Sequence, residues 1–552
     1  IVDGYAVLAI DTFSASETNP VKLKIIDRVR TGSIPKKKLL RNTAIELDTG
    51  SVIPPGADAV IPVEFTEEED GFVKVYKRVS PGANIQYAGS DISKGEIILR
   101  RGYRLEPRDI GVLAALGINK VKVYAKPKVA IFSIGDELVT PGAELTSPAS
   151  IYDVNSYTLY TSIIQAGGEP IFLGIAKDRE EDVRKKIIEA MHKADIIISS
   201  GSSSAGYSDM IYRIIDSISE SRIIAHGIKS KPGKPVLIAS INSKPYFGLP
   251  GFPTSCLIAF RNFVKPVIML MAGYDPSEVL KELGVELKRR VRGEKGRRLF
   301  KTISLKRVDS NVIGVPLPAI SGAITTLANA EGYFEVMEDI EYLSKGEKVI
   351  VKLFEDILKL PELIIGGVFV PIIDKAISKY IEDKRNHRIK YLKMNNLAAL
   401  NALLAGEIDI AILSFISSER SAPFKDLLSN KELVVLASLE RDIALVSRLS
   451  EDISSFEKAI EDKLTIANRE KGSSIREAVD LLLSNYAEKR GIDVEKLKGE
   501  IPGYYSEYKT NNSAILAVLR GKADYTLAPI DQASMYEVKY RSCLLYTSDA
   551  AD

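Results

Sequence analysis

The spacing of apolar and polar positions divides the chain into four regions of different character. In residues 1–95, short β-type runs are broken by glycine and proline, and the alternation in Phe72-Val73-Lys74-Val75-Tyr76 is typical of a half-buried strand. A helical pattern then begins near Glu106-Pro107 and ends at Gly117, and a strand is predicted at Val121-Lys122-Val123-Tyr124. The pattern predicts a β-rich region over residues 1–125.

The second region, residues 126–272, has a different pattern, because strand-length apolar runs alternate with helical stretches. The runs are Val129-Ala130-Ile131-Phe132, Ile196-Ile197-Ile198 and Val236-Leu237-Ile238, and the helical stretches lie near 155–166, 180–193 and 254–271. This alternation is typical of a parallel sheet that is covered on both faces. Ligands of such sheets collect at the carboxyl ends of the strands, where this chain carries Gly, Ser and Asp residues.

The third and fourth regions are a small β unit and a second α/β unit. Residues 273–354 are predicted to contain the strands Val285-Glu286-Leu287-Lys288-Arg289, Lys301-Thr302-Ile303-Ser304-Leu305, Tyr333-Phe334-Glu335-Val336-Met337 and Lys348-Val349-Ile350-Val351-Lys352. Residues 357–541 alternate short strands, such as Ile443-Ala444-Leu445-Val446, with helical stretches such as 474–487. The fold class is therefore multidomain, with β-rich and α/β parts.

The composition of the chain limits the kinds of binding and metal site that it can form. The 552 residues suggest about three to five domains. The 75 basic and 73 acidic residues leave a formal charge of +2, so no global field favours nucleic acid or an anionic membrane. Two cysteines, Cys256 and Cys543, exclude a disulfide scaffold, and three scattered histidines form no local metal motif. Carboxylates would therefore have to hold any metal.

The absence of targeting signals suggests a cytoplasmic protein. No stretch reaches the roughly 18 to 20 apolar residues that cross a bilayer, and the chain does not open on a signal segment. The first residues lack an initiator Met, and residues 542–552 have neither apolar period nor helix caps. We therefore expect an incomplete N-terminal region and a non-native or disordered tail.

A run of small residues after one predicted strand indicates an anion site. The strand Asp195-Ile196-Ile197-Ile198-Ser199-Ser200 feeds the loop Gly201-Ser202-Ser203-Ser204-Ala205-Gly206, and Asp209 follows. Backbone N–H groups and hydroxyls in such a loop approach a phosphate closely, and a following helix adds its positive end. A carboxylate beside a bound anion is favourable only when a cation bridges them, which points to Mg²⁺. A Ser-rich surface turn with Asp209 as a helix cap remains the alternative.

Three further segments follow predicted strands of the same region. Ile134-Gly135-Asp136-Glu137-Leu138 offers carboxylates, although a turn capped by Asp136 explains this segment better when it is taken alone. Lys231-Pro232-Gly233-Lys234-Pro235 is stiffened by proline and holds ammonium groups for anionic oxygens. Gly248-Leu249-Pro250-Gly251-Phe252-Pro253-Thr254-Ser255 opens a helix with hydroxyls available. Together the four segments favour a phosphate site.

Other site classes have little support. The chain contains neither a Walker GxxxxGK[ST] motif nor a clean GxGxxG, and it has no GxSxG elbow. A basic cluster over residues 288–298 lacks interleaved aromatic residues, so solvated strand faces and a turn explain it better than nucleic-acid binding.

The ordered set of segments resembles the molybdopterin molybdotransferases, the MoeA-like family that includes the gephyrin E domain. The resemblance spans about residues 1–354. It rests on the four segments above and on Asp3-Gly4-Tyr5-Ala6-Val7, Thr49-Gly50, Pro55-Gly56-Ala57-Asp58-Ala59-Val60, Gly82-Ala83-Asn84-Ile85, Gly89-Ser90-Asp91, Gly95 and Ser321-Gly322. The family's usual Gly-Gly-Val-Ser-Val-Gly loop is replaced here by the Ser-rich loop from Gly201 to Gly206.

The resemblance implies an elongated subunit with a small β-barrel-like domain at residues 273–354, and a homodimer whose cleft is shared between the α/β domain of one subunit and the N-terminal parts of the other. It implies a Mg²⁺-dependent reaction in which molybdate is inserted into adenylylated molybdopterin and AMP is released. Other molybdenum cofactor enzymes are possible partners, and neither nucleic acid nor membrane is expected as one.

Site residues follow from the same resemblance. Asp3, Asp91, Glu137 and Asp209 are expected to be catalytic, and Glu137 and Asp209 to hold the metal. The residues expected to bind the pterin nucleotide or the oxyanion are Gly135, Asp136, Ser200, Gly201, Ser204, Gly206, Lys231, Gly233, Lys234, Pro250, Gly251, Thr254 and Ser255.

The region 357–541 resembles the periplasmic-binding-protein-like domain, related to LysR substrate-binding domains, that is fused to some family members. Its markers include Leu404-Ala405-Gly406-Glu407-Ile408-Asp409-Ile410-Ala411, Ile501-Pro502-Gly503-Tyr504 and Gly521-Lys522-Ala523-Asp524. The stretch Gly472-Ser473-Ser474-Ile475-Arg476 could bind an anion at a helix start, with Arg476 as partner, or could belong to a cleft that has lost its ligand.

The sequence thus predicts a transferase that inserts molybdate or tungstate into adenylylated molybdopterin. The alternative is a non-catalytic sensor or regulatory protein that binds molybdopterin or an oxyanion. Molybdate and tungstate are tetrahedral dianions of similar size, so the residues do not separate them.

Overall fold

The chain divides into two compact units, residues 1–121 and 122–552. The structure is a computed structural model, and it describes residues 2–544 except 146, 202–204, 280, 309–310, 319–323, 355–359, 385–387, 417–432 and 452. Each unit is built around its own apolar clusters. The boundary at residue 121 lies close to the predicted end of the β-rich region at residue 125.

The first unit is built on one six-stranded sheet. Its strands are β1 (Gly4–Val7), β2 (Val21–Val29), β3 (Thr43–Leu47), β4 (Ala59–Pro62), β5 (Thr66–Glu69) and β6 (Phe72–Val75), and short 3-10 helices lie at Ala9–Thr12 and Val63–Phe65. The strands lie in the order β4-β1-β3-β2-β6-β5, and β1 is buried along its whole length. This confirms the predicted β-rich character.

After the sheet, the chain forms one helix and then an extended segment. The helix, α1 (Pro107–Ala115), begins at the predicted proline, and Gly117 follows it in the left-handed region at a φ of +73°. The strand predicted at Val121-Lys122-Val123-Tyr124 is wrong, because these residues pair with no strand in the described part of the chain. Val123 is 71% exposed. Alternation alone does not form a strand when no neighbouring strand takes its hydrogen bonds.

Residues 126–272 form the α/β domain that the sequence predicts. Its strands are β7 (Lys128–Ile134), β8 (Leu138–Val139), β9 (Ile151–Tyr152), β10 (Glu169–Ala176), β11 (Ile196–Ser200), β12 (Ser221–His226), β13 (Ser230–Lys231), β14 (Leu237–Ile241) and β15 (Lys244–Leu249). Its helices are α2 (Asn155–Gln165), α3 (Glu180–Lys193), α4 (Ala205–Asp216), α5 (Pro253–Ala259) and α6 (Lys265–Met271). The main sheet has the order β10-β7-β11-β15-β14-β12, and β10, β7, β11 and β15 run parallel.

Strand β7 shows why the sequence folds in this way. Ala130, Phe132 and Ile134 belong to one apolar cluster, which includes helices α3 and α4. Val129 and Ile131 belong to a second cluster, which includes α2 and α5. Successive side chains of a strand point to opposite faces, so a continuous apolar run places the strand in the middle of three layers.

One helical segment departs from the expectation that no stretch of the chain is long and apolar enough to cross a bilayer. The segment Pro253–Met271, formed by α5, a π-helical turn (Phe260–Val264) and α6, is long and apolar enough by composition to cross a membrane. Within the protein, 61% of its most apolar window is buried. The apolar stretch therefore contributes to the core of the α/β domain, where Cys256, Phe260 and Ile268 pack against the sheet.

The β unit that follows is a closed five-stranded barrel. The short helix α7 (Pro276–Val279) precedes it, and its elements are β16 (Glu282–Leu287), β17 (Val291–Arg292), β18 (Arg298–Val308), β19 (Asn311–Pro316), α8 (Ile324–Ala328), β20 (Gly332–Val336), β21 (Tyr342–Leu343) and β22 (Lys348–Leu353). The order β18-β19-β16-β22-β20 closes because β20 also pairs with β18, and β13 of the α/β domain is added beside β18. The barrel was expected, and all four predicted strands are present.

The C-terminal domain has two lobes. The first contains β23 (Leu363–Gly367), α9 (Pro371–Asp383), β24 (Ile389–Lys393), α10 (Asn396–Leu404) and β25 (Ile410–Ile412). The second contains β26 (Ile443–Ser447), α11 (Phe456–Glu461), β27 (Asn468–Arg469), α12 (Ser474–Arg490), α13 (Val494–Glu500), β28 (Glu507–Tyr508), α14 (Asn511–Leu519), β29 (Tyr525–Pro529), α15 (Ile530–Ala533) and β30 (Lys539–Leu544). The tail expected from residue 542 is wrong at its start, because β30 pairs with β26 as far as Leu544; residues 545–552 lie outside the described residues.

Three ion pairs attach the first lobe to the barrel. Lys390 Nζ lies 2.6 Å from Glu331 Oε1 and also donates to Ser304 Oγ at 2.8 Å. Lys306 Nζ lies 2.8 Å from Asp409 Oδ1. A third pair joins Arg289 Nε to Glu407 Oε1 at 2.6 Å. The Lys390 and Glu407 side chains are 10% and 5% exposed, so this is a buried docking interface and not a loose linker.

Candidate functional site

Four of the segments singled out from the sequence reach one edge of the α/β sheet. Strands β7, β11 and β15 are parallel neighbours, and they end at Ile134, Ser200 and Leu249. Strand β14 runs antiparallel to β15, with Leu237 opposite Gly248, so the lysine-containing bend before β14 reaches the same edge. The topology therefore brings together the turn after β7, the Ser-rich loop, the lysine bend and the loop before α5.

The backbone at Gly201, where the Ser-rich loop begins, lies directly against the end of β7. Gly201 has a φ of +120°, and a Cβ at this position would lie 2.1 Å from the carbonyl oxygen of Ile134. Only glycine permits this approach. Gly206 lies in the first turn of α4, whereas the predicted contact Ser204 lies outside the described residues.

The predicted carboxylates of this domain are accessible to solvent. Glu137 folds back over its own turn, because a Cβ on Gly135 would lie 2.6 Å from Glu137 Oε2. Asp136 and Asp209 are also exposed, the latter on α4. Exposed carboxylates next to a small-residue loop can reach a ligand without rearrangement of the core.

Sequence reasoning missed one acidic residue of this edge, Asp178. It follows β10, the strand next to β7, which the periodicity analysis also missed. The Asp136 N–H donates to Asp178 Oδ2 at 3.2 Å, and the Asp178 N–H lies 3.4 Å from Asp136 Oδ1. Partial burial, reinforced by the charge of Asp136, raises the pKa of Asp178 above its usual range. The run Ile171-Phe172-Leu173 was the available signal for β10.

A buried polar network lies beneath this edge. Ser200 and Thr254, both predicted contacts, are 1% and 5% exposed, and Ser255 is 4% exposed. Asn155 at the start of α2 donates to Ser200 Oγ and to the Gly251 carbonyl, each at 2.7 Å. Burial raises the pKa of the neighbouring Cys256 thiol to about 12. Pro250 is buried as well, so these predicted contacts form the floor of the site and not its rim.

The lysine bend is tied to the barrel. The bond between Lys231 and Pro232 is cis, and Lys231 Nζ forms an ion pair with Glu294. Gly233 is buried next to Ser230 Oγ, while Lys234 is exposed. Lys231 already has a carboxylate partner, whereas the predicted contact of Lys234 with an anion stays a prediction.

A second lysine near this bend was not predicted. Lys301 lies two residues along β18 from Leu299, and Leu299 pairs with Lys231. Burial lowers the pKa of Lys301, because its ammonium group is partly removed from water. A bound anion would stabilise the charged form of such a group.

The remaining predicted carboxylates lie in the first unit. Asp3 Oδ1 accepts a hydrogen bond from the Thr49 N–H, and hydrogen bonds from Thr49 hold the pKa of Asp3 below its usual value. Asp91 is exposed in the loop that follows Gly89. Their predicted approach to the α/β site stays a prediction.

Among the described residues, no group of three or more His, Cys, Asp or Glu side chains is close enough to form a metal site alone. Asp136 and Asp178, after the ends of β7 and β10, are hydrogen-bonded neighbours that can share a cation, and Glu137 follows Asp136 in the same turn. Asp209 on α4 stays a predicted ligand.

In the C-terminal domain, the arginine expected to hold an anion is engaged internally. Arg476 is 3% exposed; its guanidinium lies 3.4 Å from Asp480 Oδ1 and 3.6 Å from Glu507 Oε1. It also lies 4.1 Å from the Tyr504 ring centroid. Its charge is therefore neutralised within its own lobe, which argues against the predicted role.

Comparison with protein families agrees with this arrangement. Residues 1–117 match the MoeA N-terminal region (domain I and II), and residues 130–269 match a probable molybdopterin binding domain. Residues 284–354 match the MoeA C-terminal region (domain IV), and residues 378–542 match a PBP superfamily domain.

Individual relatives point to the same family. A putative molybdopterin biosynthesis protein of Methanocaldococcus jannaschii is 33% identical over 361 residues, which cover 64% of this chain and 85% of that protein. Molybdopterin molybdenumtransferase 2 of Mycobacterium tuberculosis is 30% identical over 355 residues, covering 63% of this chain and 87% of that protein. The molybdopterin molybdenumtransferase of Bacillus subtilis is 36% identical over 270 residues, which cover 48% of this chain and 62% of that protein.

A solved structure matches over the same part of the chain. The molybdopterin biosynthesis MoeA protein from Pyrococcus horikoshii is 40% identical, with a TM-score of 0.56 over 64% of this chain and 86% of that one. The two MoeA regions flank the probable molybdopterin binding domain, and the chain matches the Methanocaldococcus jannaschii relative over 85% of that protein's length. The chain therefore belongs to the MoeA family of molybdopterin biosynthesis proteins, and a PBP superfamily domain follows the family's own domains.

Proposed function

We propose that this protein is a molybdopterin molybdenumtransferase, which inserts molybdate or tungstate into adenylylated molybdopterin and releases AMP. Its relatives carry that name at 30 to 37% identity. The observation that carries the proposal is the single sheet edge at which a carboxylate turn, a glycine-containing loop and a lysine bend meet. Such an edge binds a phosphorylated ligand and a cation together.

The carboxylates fit a Mg²⁺ ion. Mg²⁺ is usually held by one or two carboxylates together with substrate phosphates and water, so a complete protein cage is not needed. Asp136 and Asp178 lie side by side, and burial, together with the charge of Asp136, raises the pKa of Asp178; a bound cation would favour its ionised form. We assign Mg²⁺ to Glu137 and Asp209, in the α/β domain whose sheet edge also carries Asp136 and Asp178. When bound, the ion offsets negative charge on the pyrophosphate.

The protein's own groups hold and orient the substrates. In the proposed complex, the Ser200 hydroxyl and the backbone at Gly201 would face the phosphate, and the exposed Lys234 would contact the oxyanion. Lys301 adds a cation close to the same bend. Held at one sheet edge, these groups would orient the oxyanion towards the dithiolene.

The proposed enzyme is a cytoplasmic homodimer. We propose that Asp3 and Asp91 of one copy complete the cleft formed by Glu137 and Asp209 of another. Mixing two inactive variants, D91N and E137Q, under conditions of subunit exchange tests this directly. Shared sites predict recovery of about a quarter of the wild-type activity, since half of the dimers are mixed and each mixed dimer holds one intact site. No recovery after proven exchange would show that each site lies within one chain.

The main experiment measures AMP release from adenylylated molybdopterin with Mg²⁺ and either molybdate or tungstate. We expect E137Q to lower the rate constant by a factor of about 10² or more if the carboxylate binds the cation, as loss of one charge-stabilising group costs about 10² to 10³ elsewhere. Glu144 lies exposed in the same domain, so E144Q is the matched control. Absence of AMP release by a folded wild-type protein that still binds the pterin nucleotide would favour the sensor instead.

A further inference from the structure

A buried carboxylate beneath the site has one oxygen without a partner. Ser133 Oγ, near the end of β7, donates to Asp153 Oδ1 at 2.9 Å, and the Ser156 N–H donates to the same oxygen at 3.2 Å. Within the part of the chain that the structure describes, Asp153 Oδ2 accepts no hydrogen bond, although Asp153 is only 2% exposed. Such a buried acceptor is unfavourable until a donor reaches it.

A second unpartnered acceptor lies two residues away. Asn155 donates its Nδ2 hydrogens to Ser200 Oγ and to the Gly251 carbonyl. Because that carbonyl can only accept, the amide cannot be flipped, and the orientation of the side chain is settled. None of the described residues donates to Asn155 Oδ1, and Asn155 is 7% exposed.

The two acceptors belong to the same site as the predicted phosphate contacts. Ser200 Oγ accepts from Asn155, so its own hydrogen must point elsewhere, either to Cys256 Sγ at 3.8 Å or to a ligand. A thiol is a weak acceptor, which leaves the hydroxyl available as a donor to a phosphate oxygen. The Ser200 hydroxyl is thus a hydrogen-bond donor in this part of the site, whereas Asp153 Oδ2 and Asn155 Oδ1 are acceptors.

We propose that Asp153 and Asn155 form an acceptor subsite that receives a hydrogen-bond donor of the substrate. This inference rests on the proposed function, since it concerns the same cleft. Anionic oxygens are unsuitable here, because a carboxylate and an amide carbonyl repel them. The chemistry fits O–H or N–H donors within reach of the phosphate, which the substrate carries as ribose hydroxyls and as the amino edge of the pterin.

The decisive variant is D153N. The Ser156 N–H and the Ser133 hydroxyl keep the amide oxygen at the Oδ1 position, so the new NH₂ group takes the place of Oδ2. The change converts an unpaired acceptor into a donor while leaving shape and packing almost unchanged. The matched control is D195N, because Asp195 Oδ2 accepts the Lys128 N–H at 2.8 Å at the opposite edge of the sheet.

Calorimetry on the full chain with Mg²⁺ measures binding of AMP, 2′,3′-dideoxy-AMP, 6-hydroxymethylpterin and pyrophosphate. If ribose supplies the donor, D153N should weaken AMP binding by about tenfold or more and leave dideoxy-AMP unchanged. If the pterin supplies it, the loss should fall on 6-hydroxymethylpterin. In both cases pyrophosphate binding should stay within about twofold of wild type, as should every ligand with D195N.

Two results would overturn the inference in different ways. Unchanged affinities in D153N, when the wild type binds the probes, would refute the acceptor subsite alone and leave a buried water as its occupant. Failure of the wild-type chain to bind any probe would refute the proposed function together with this inference. Should D153N not fold, a crystal structure of the wild type with the tightest probe decides: a ligand donor at Asp153 Oδ2 supports the subsite, and water alone there refutes it.

Discussion

The close contact between the Ser-rich loop and β7 makes G201A a stringent test of the site. An added Cβ would lie 2.1 Å from the Ile134 carbonyl oxygen, a fixed backbone atom that no side-chain rotation can move aside. The backbone at Gly201 also has a φ of +120°, which an alanine adopts only with strain. We expect the loop and the end of β7 to be forced apart.

The size of the effect follows from these two contributions. The unfavourable backbone conformation of the alanine lowers the free energy of unfolding by about 1–3 kcal/mol, and overpacking against a rigid neighbour lowers it by about 1–3 kcal/mol more. For a domain of this size, a loss of about 3 kcal/mol lowers Tm by roughly 6–12 °C. AMP release should fall further than stability alone explains, because Ser200 moves with the loop.

The assay is scanning calorimetry of the full chain, followed by AMP release well below the transition. The control is G142A, since Gly142 has a φ of +93° but no atom within 4 Å of the place that an added methyl group would occupy. G142A carries the conformational cost without the collision. If G201A is no less stable than G142A, or if its AMP release is unchanged, the inferred contact between loop and strand is incorrect.

Three further predictions follow from other parts of the structure. Burial and the charge of Asp136 raise the pKa of Asp178 above 3.8, so ionisation of Asp178 lowers the stability of the folded protein as the pH rises from 3.8 through the raised pKa. D178N should therefore keep or raise Tm at pH 7 while it lowers AMP release. A Tm below that of the wild type would contradict this prediction. E331Q leaves the buried Lys390 without its carboxylate partner, so it should lower the free energy of unfolding by about 3 kcal/mol and speed the tryptic separation of the C-terminal domain. The control E181Q, which breaks an exposed ion pair, should do neither. Burial raises the pKa of Cys256 to about 12, so mass spectrometry should find its peptide unlabelled by iodoacetamide at pH 8 until denaturant is added; rapid labelling of the native protein would contradict its burial.

Much of the fold could be predicted because apolar periodicity reports burial on one or both faces. The continuous run of β7 indicated a strand covered on both sides, and the four predicted barrel strands are all present. Pattern alone failed where formation depends on a distant partner. Val123 alternates correctly and yet no described strand lies beside it, while Ile171 belongs to β10, which was overlooked although β7 pairs with it.

The site was predictable in outline and not in detail. Strand ends of one sheet meet at one edge, so segments around Gly135, Ser200 and Gly251 were expected to lie together. Their individual roles depend on which way side chains point. No spacing in the sequence reveals that Lys231 is paired with Glu294, or that Asn155 bridges Ser200 and Gly251.

The docking of the C-terminal domain bears on how the protein can be dissected. Shortening the chain after residue 354 would remove Lys390, Glu407 and Asp409 at once, and it would bare Glu331 and Lys306 on a barrel surface that is covered in the intact protein. A truncated MoeA portion is then a different molecule with exposed, uncompensated charge. A loss of activity on truncation would therefore not distinguish damage to the barrel from the loss of a ligand bound by the C-terminal domain.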